Sequence, residues 1–260
     1  MIDIHTHLIP NIDDGSQDYG DSLRQLKKMA EGGIKSVYLT SHYFRGHYQY
    51  TREEYNRHFD QLSAQVVQAG INLKLIPGFE VFLQPDILTD IKKHSLTMGD
   101  SAYVLIESDL NGLPDDFYNN IYPLLRAGYK PILAHAERYV SIMRKPDQTE
   151  SLSKRNVYIQ TNAGSLLGAY GEKVKQTAWK LVNMGWTHFV ASDDHVRGEY
   201  KAFFEARDAV EEAIDNHAAH LLFHVYPSLI AKNESIPYQY VHIYRPHHYR
   251  RRSWLKRLFA

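Results

Sequence analysis

Short runs rich in β-branched and aromatic residues recur along this chain, each followed by a stretch with helical spacing of its apolar residues. That alternation most narrows what the chain can fold into. The extended runs lie at 2–5 (IDIH), 35–41 (KSVYLTS), 72–77 (NLKLIP), 103–107 (YVLIE), 130–135 (KPILAH), 156–161 (NVYIQT) and 188–193 (HFVASD). Between them, "DSLRQLKKMAEGG" puts Leu23, Leu26, Met29 and Ala30 on one stripe and closes on a glycine pair suited to a helix end. "REEYNRHFDQLSAQVVQAG" does the same with Tyr55, Phe59, Leu62, Val66 and Val67. Strand–helix alternation is the signature of βα units, whose parallel strands are joined by crossover helices. Seven units in 260 residues, with no internal repeat and no low-complexity linker in the body, fit one closed barrel better than two domains.

In a parallel barrel every strand ends on the same face, and active sites sit there. The strand ends therefore carry the chemistry. His5 and His7 follow the first strand and point to the same side of an extended chain. His42 follows the second in "TSHY", Glu80 the third in "IPGFE", and Glu107 closes the fourth. His135 closes the fifth in "ILAHAER", while Asp193 and His195 end the seventh in "VASDDH". Only the sixth, "IQTNAGS", ends in neutral polar groups. The turn "DDG" after the first strand offers Asp13 or Asp14, and alternation gives no guidance between them. Alternation does turn Asp194 away from Asp193 and His195.

Each of these residues alone has an ordinary explanation: a rim acid, a loop histidine, an imidazole bonded to a backbone carbonyl. Their coincidence at the ends of apolar strands does not. Carboxylates partly buried without partners cost several kcal/mol each, roughly, and a cation removes that cost. Cysteine is absent, which excludes thiolate ligands, disulfides and a cysteine nucleophile. Mixed imidazole and carboxylate donors suit zinc, manganese or iron better than calcium. The donors outnumber what one tetrahedral ion uses, so at least two ions are expected. His47 and Tyr43, beside His42, read as a surface histidine and a packed tyrosine.

The ordered set "DIHTH", "DDG", "TSH", "GFE", "IES", "AHAERY" and "ASDDH" resembles the polymerase-and-histidinol-phosphatase (PHP) superfamily. Within it, the chain is most similar to the bacterial manganese-dependent tyrosine phosphatases of capsule and exopolysaccharide loci, from Met1 to about Pro237. The resemblance implies a distorted seven-stranded (β/α)7 barrel and three divalent ions, manganese first, with iron or zinc as alternatives. On matched positions the metal ligands are His5, His7, Asp14, His42, Glu80, Glu107, His135, Asp193 and His195, with Glu80 at the position that bridges two ions. Arg138 in "HAERY" matches an arginine that holds phosphate. Arg197 is placed closer to the last histidine than the family's second arginine. Tyr43 stands where many relatives carry a second basic or imidazole residue.

The implied activity is hydrolysis of phosphotyrosine in proteins, the substrate being a membrane-associated tyrosine kinase that controls capsule or exopolysaccharide synthesis. A bridging hydroxide would attack phosphorus, the ester oxygens being held by metal and by Arg138. The phenolate leaving group, of parent pKa about 10, needs little protonation, with His42 or a metal-bound water as its source. Two alternatives stay open: a small-molecule, histidinol-phosphate-like phosphatase on the same fold, and a non-catalytic kinase-binding module. An amidohydrolase fits less well, since no strand-end lysine is available for a carbamylated bridge.

Thirty basic and thirty acidic residues cancel, but the sum hides an asymmetry. Residues 235–260 hold Arg245, Arg250, Arg251, Arg252, Lys256 and Arg257 with no acid, leaving 1–234 six charges negative. An acidic body repels a polyanion, so no nucleic-acid partner is expected. The division is a phosphatase barrel over 1–238 and a basic aromatic tail over 239–260. Trp254, Leu255, Leu258 and Phe259 among the tail's cations suit contact with an anionic membrane surface, or else a solvated end. Without a membrane-spanning run, a secretory leader or cysteine, the expected place is the cytoplasm, peripheral at the inner membrane face if the tail engages lipid.

Overall fold

The structure is a computed structural model that describes residues 1–48, 50–113 and 117–236. Seven parallel strands, β1 (Ile2–Asp3), β2 (Ser36–Tyr43), β3 (Lys74–Phe82), β4 (Tyr103–Glu107), β5 (Lys130–Leu133), β6 (Tyr158–Asn162) and β7 (Phe189–Ala191), pair in chain order. A bridge from Thr6 to Asp194 joins the two ends, with the His7 amide on the Asp194 carbonyl at 2.9 Å and the Asp193 amide on the His5 carbonyl at 2.9 Å. The result is the expected distorted seven-stranded α/β barrel. Val37, Leu39, Leu105, Leu133, Ile159 and Val190 are fully buried in it, each such side chain contributing roughly 1.5–3 kcal/mol by leaving water.

Helices wrap the sheet in order: α1 (Tyr19–Glu31), α2 (Arg52–Gln68), α3 (Ile87–His94), α4 (Phe117–Arg126), α5 (Val140–Arg144), α6 (Gln148–Lys154), α7 (Ala163–Leu167), α8 (Glu172–Asn183), α9 (Ala202–Ala213), α10 (Asn216–His220) and α11 (Tyr226–Ala231). Local chemistry sets their ends. Asp18 caps α1 by accepting from the Asp21 amide at 2.8 Å, and Gly33, at φ +88°, turns the chain out of it. Thr51 and Glu54 form a reciprocal capping box on α2. Leu26 and Met29 on α1, and Tyr55, Leu62 and Val66 on α2, are buried as their spacing predicts. Val67 is 79 % exposed; one residue past Val66 it lies about 100° round the helix, off the stripe.

Two strands differ from their expected limits in ways that matter. β2 and β3 run on to Tyr43 and Phe82, so His42 and Glu80 stand inside the sheet. Pro77 and Gly78, which read as a strand end, are carried within β3 opposite Leu39 and Thr40. A side chain at position 78 would crowd Thr40 Cγ2 at 3.1 Å, so the glycine serves close strand packing. The first strand pairs over Ile2–Asp3 only. Among the described residues no helix is long and apolar enough to cross a membrane. The basic tail expected over 239–260 lies outside the described residues.

Candidate metal centre

The strand register delivers the site. His42 is opposite Glu80 across β2 and β3, and Glu107 is opposite Phe82 across β3 and β4. The Thr6–Asp194 seam brings His5 and His7 beside Asp193 and His195. Two residues leave their strands in the left-handed region, His135 at φ +36° and Asp193 at φ +55°. Such backbone is costly outside glycine, and it persists where the surroundings over-determine it, often at functional sites.

Among the described residues three groups of donor atoms result, each with its members within 4.8 Å of one another. In the first, His5 Nε2 lies 3.1 Å from His7 Nε2, 3.0 Å from Glu80 Oε2 and 3.3 Å from Asp193 Oδ1. In the second, His42 Nε2 and His195 Nε2 are each 3.4 Å from Asp14 Oδ1, with His7 completing the set. In the third, His42 Nδ1 is 2.9 Å from Glu107 Oε1 and 3.2 Å from Glu80 Oε2. Eight of the nine expected ligands are thereby assembled. His135 stands at the edge: its Nε2 meets Glu80 Oε1 at 2.8 Å, but it belongs to none of the three groups. Its buried Nδ1 has no hydrogen-bond partner among the described residues.

Outer hydrogen bonds aim the imidazoles. His7 Nδ1 donates to Asp13 Oδ2 at 2.8 Å, and His5 Nδ1 donates to Gln160 Oε1 at 3.1 Å. His195 Nδ1 donates to the Asp193 carbonyl at 3.0 Å. Each therefore turns its Nε2 toward the cluster. The choice in the "DDG" turn is resolved by the same contacts. Asp13 is turned inward to hold His7 and the His42 amide, 2.9 Å away, while Asp14 reaches the mouth. Gly15 makes the turn possible, since a Cβ there would meet the His7 carbonyl at 2.1 Å. Asp194 accepts from the Val196 amide at 3.0 Å and joins none of the donor groups.

Electrostatics follow from crowding carboxylates out of water. Burial works against charging Glu80, but His5 and His42 hold its pKa well below the carboxylate range. Burial likewise opposes charge on His42, yet Glu80, Asp14 and Glu107 push it up to about 10. His7 is also raised well above its ordinary value against burial, mainly by Asp13. Asp14 is lowered chiefly by its bonds to His195 and His42. The cluster thus demands positive charge at its centre. Protons on imidazole supply it in this arrangement, and a divalent cation on the same lone pairs would replace them. Sulfur-free nitrogen and oxygen donors with their Nε2 atoms turned inward together fit ions of the zinc, manganese and iron kind.

The cluster floors a cavity of about 490 Å³ lined by Glu107, His135, Arg138, Tyr170, Asp193 and His195, among others. Arg138 Nη1 donates to Asp193 Oδ2 at 3.3 Å. Arg197 reaches Asp14 Oδ2 at 3.2 Å from the rim and is 74 % exposed. His47 is exposed and Tyr43 half-buried. Several further neighbours of the cluster carry little signal in the sequence. Gln160 and Asn162 come from the neutral β6, and the alternation Gln-Thr-Asn at its end was the available signal. Asn162 Nδ2 donates to Asp193 Oδ2 at 2.7 Å, and the Asn162 amide to buried Glu137 at 3.0 Å. Tyr48 stacks parallel to His42 at 5.2 Å, and Tyr170 lies under Arg138; spacing carries no signal for either.

Comparison with known proteins agrees with this geometry. The family described as Capsular polysaccharide synthesis, CpsB/CapC, matches residues 1–232. The chain is 33 % identical over 196 residues to the tyrosine-protein phosphatase YwqE of Bacillus subtilis, spanning 75 % of this chain and 77 % of that one. It is 27 % identical over 201 residues to the tyrosine-protein phosphatase CpsB of Streptococcus pneumoniae, spanning 75 % and 83 %. Among solved structures, it matches one from the study of YwqE and CpsB, described there as unique metal-dependent tyrosine phosphatases. The TM-score is 0.85 at 30 % identity, over 91 % of this chain and 96 % of that one. A histidinol phosphate phosphatase of Lactococcus lactis, solved with zinc, L-histidinol and phosphate, shares the fold at TM-score 0.56 and 12 % identity, over 82 % and 95 %.

Proposed function

This chain belongs to the CpsB/CapC family of capsular polysaccharide synthesis, and on that premise we propose that it is a metal-dependent phosphatase of phosphotyrosine in proteins. The observation that carries the reading is the convergence of three donor groups on shared Glu80, His7 and His42 at the floor of a cavity that also holds an arginine. The proposed ions are three, and manganese is the proposed metal. They would be held by His5, His7, Glu80 and Asp193; by Asp14, His42 and His195 with His7; and by His42, Glu80 and Glu107, with His135 in support. When bound, such ions lower the pKa of a water toward neutrality and neutralise the ester oxygens of an in-line displacement.

The chain's own residues do the rest. Asp13 and Gln160 keep His7 and His5 in the tautomer that faces the cluster. Arg138 presents a planar fork to two oxygens of the phosphoryl group, oriented by its bond to Asp193. Arg197 adds a positive rim that draws a dianion toward the mouth. A phenolate with parent pKa about 10 leaves with little protonation. His42, with carboxylates on both ring nitrogens, serves as a ligand more naturally than as the proton donor. The substrate in this reading is a tyrosine kinase of capsule or exopolysaccharide synthesis, met in the cytoplasm.

Chelation with EDTA should abolish hydrolysis of a phosphotyrosine peptide, and Mn²⁺ should restore it. Full activity in a verified metal-free preparation would overturn the proposal. Faster turnover of histidinol phosphate than of the peptide would transfer the assignment to small alkyl phosphates. Tight kinase binding with no turnover of either would make the protein a binding module.

A further inference from the structure

Tyr170 sits at the mouth of the cavity, 41 % exposed. Its presentation is built. Gly168 at φ +93° and Gly171 at φ +92° bracket it, two positions that an L side chain rarely tolerates. Gly164 lies beside the ring, where a Cβ would stand at ordinary contact distance, 3.4 Å from Tyr170 Cε2. Gly168 ends α7 and Gly171 opens α8, so the turn between these two helices sets the ring at the cavity mouth.

It touches Arg138. The guanidinium carbon stands 4.6 Å from the centre of the Tyr170 ring, within cation–π range. The same guanidinium donates through Nη1 to Asp193 Oδ2, which also accepts from Asn162 Nδ2. Burial raises the pKa of the Tyr170 hydroxyl. Ring, guanidinium, carboxylate and amide thus form a continuous chain of contacts. An arginine on a flexible stem loses conformational freedom when it binds an anion, and a fork already held on one face and one edge loses less.

We propose that Tyr170 is the positioning residue of Arg138: its ring holds the guanidinium flat, so that the remaining N–H groups face the phosphoryl oxygens. This rests on the phosphatase reading above and on Arg138 as the phosphate-holding group. Asp193 fixes one end of the fork and Tyr170 its plane. The role needs the aromatic face and not the hydroxyl, which distinguishes it from a polar contact to substrate.

A double-mutant cycle on the manganese-loaded full chain tests this with p-nitrophenyl phosphate and a phosphotyrosine peptide. Tyr170→Leu should lower kcat/KM about ten-fold, whereas Tyr170→Phe should stay within about two-fold of the parent. In an Arg138→Gln background Tyr170→Leu should change the rate by less than about two-fold, because its target is gone. Metal content and thermal midpoint, measured on every variant, exclude loss of ions or of fold. Additive losses would overturn the proposal and make Tyr170 a direct substrate contact. An unimpaired Tyr170→Leu beside an impaired Arg138→Gln would remove the positioning role alone. An unimpaired Arg138→Gln would instead remove the phosphate-holding reading of Arg138, and the positioning role with it.

Discussion

His42 stands directly opposite Glu80 in the β2–β3 register, with its Nδ1 3.2 Å from Glu80 Oε2. The pairing of two adjacent parallel strands thereby sets a distance within the site. Glu80 also meets His5, His7 and His135, which makes it the common anion of the cluster. Glu80→Gln keeps the shape and removes the charge. The variant should lose at least one equivalent of bound metal and roughly 100-fold or more in activity, by analogy with breaking a buried charge pair. Metal analysis of the folded variant checks this; undiminished metal content would contradict it.

Asp13 touches no member of the donor groups except through His7 Nδ1 and the His42 backbone amide. Asp13→Ala frees His7 to adopt the wrong tautomer. Metal affinity or activity should fall about 10–100-fold, the usual cost of an outer hydrogen bond to a ligating histidine. Titration of the metal-free variant with Mn²⁺ measures it, and unchanged affinity would deny Asp13 the role.

The two arginines should not behave alike. Arg138 is partly enclosed between Asp193 and the Tyr170 ring, so Arg138→Ala should cost about 10–100-fold in kcat/KM, the worth of a charged hydrogen bond. Arg197 is 74 % exposed, and solvent screens it. Arg197→Ala should cost less than about three-fold, and the loss should shrink as salt is added. Equal losses would show that both arginines grip the phosphate.

Acid stability has a predictable contributor away from the site. His188 is buried, accepts from the Ile159 amide through Nδ1 at 3.1 Å, and is pushed down to about 4 by burial. A depressed folded pKa means that the stability it contributes is complete above the ordinary value near 6.5 and is lost as pH falls toward 4. Between pH 7 and 5 that loss is about 2 kcal/mol. His188→Gln can still accept the Ile159 amide bond but does not titrate. Its thermal midpoint should fall less steeply over this interval than that of the parent, and parallel curves would refute the account.

Much of this was legible from the chain alone, for reasons specific to particular residues. Parallel strands ending on one face make His5, His42, Glu107 and Asp193 neighbours whatever the details of packing. The limits of β3 were not legible, because Pro77 and Gly78 carry turn chemistry that sheet pairing overrides. Asp13 and Asp14 could not be told apart, since a turn has no alternation and the choice depends on how closely Gly15 lies against His7. Gln160 and Asn162 were not legible either, because neutral side chains at a strand end carry no charge or ligand signature, yet they hold His5 and Asp193 in place. Tyr170 meets Arg138 across 32 positions of sequence, through the curvature of the barrel.

The closing bridge between Thr6 and Asp194 has a temporal consequence. His5 and His7 emerge early in synthesis, but Asp193 and His195 emerge only when most of the chain has been made. An ion shared across that join can be captured only after the last strand docks on the first. Loading of the ions that span the join would then report completion of folding, whereas the His42, Glu80 and Glu107 group on β2–β4 is complete before the last strand arrives.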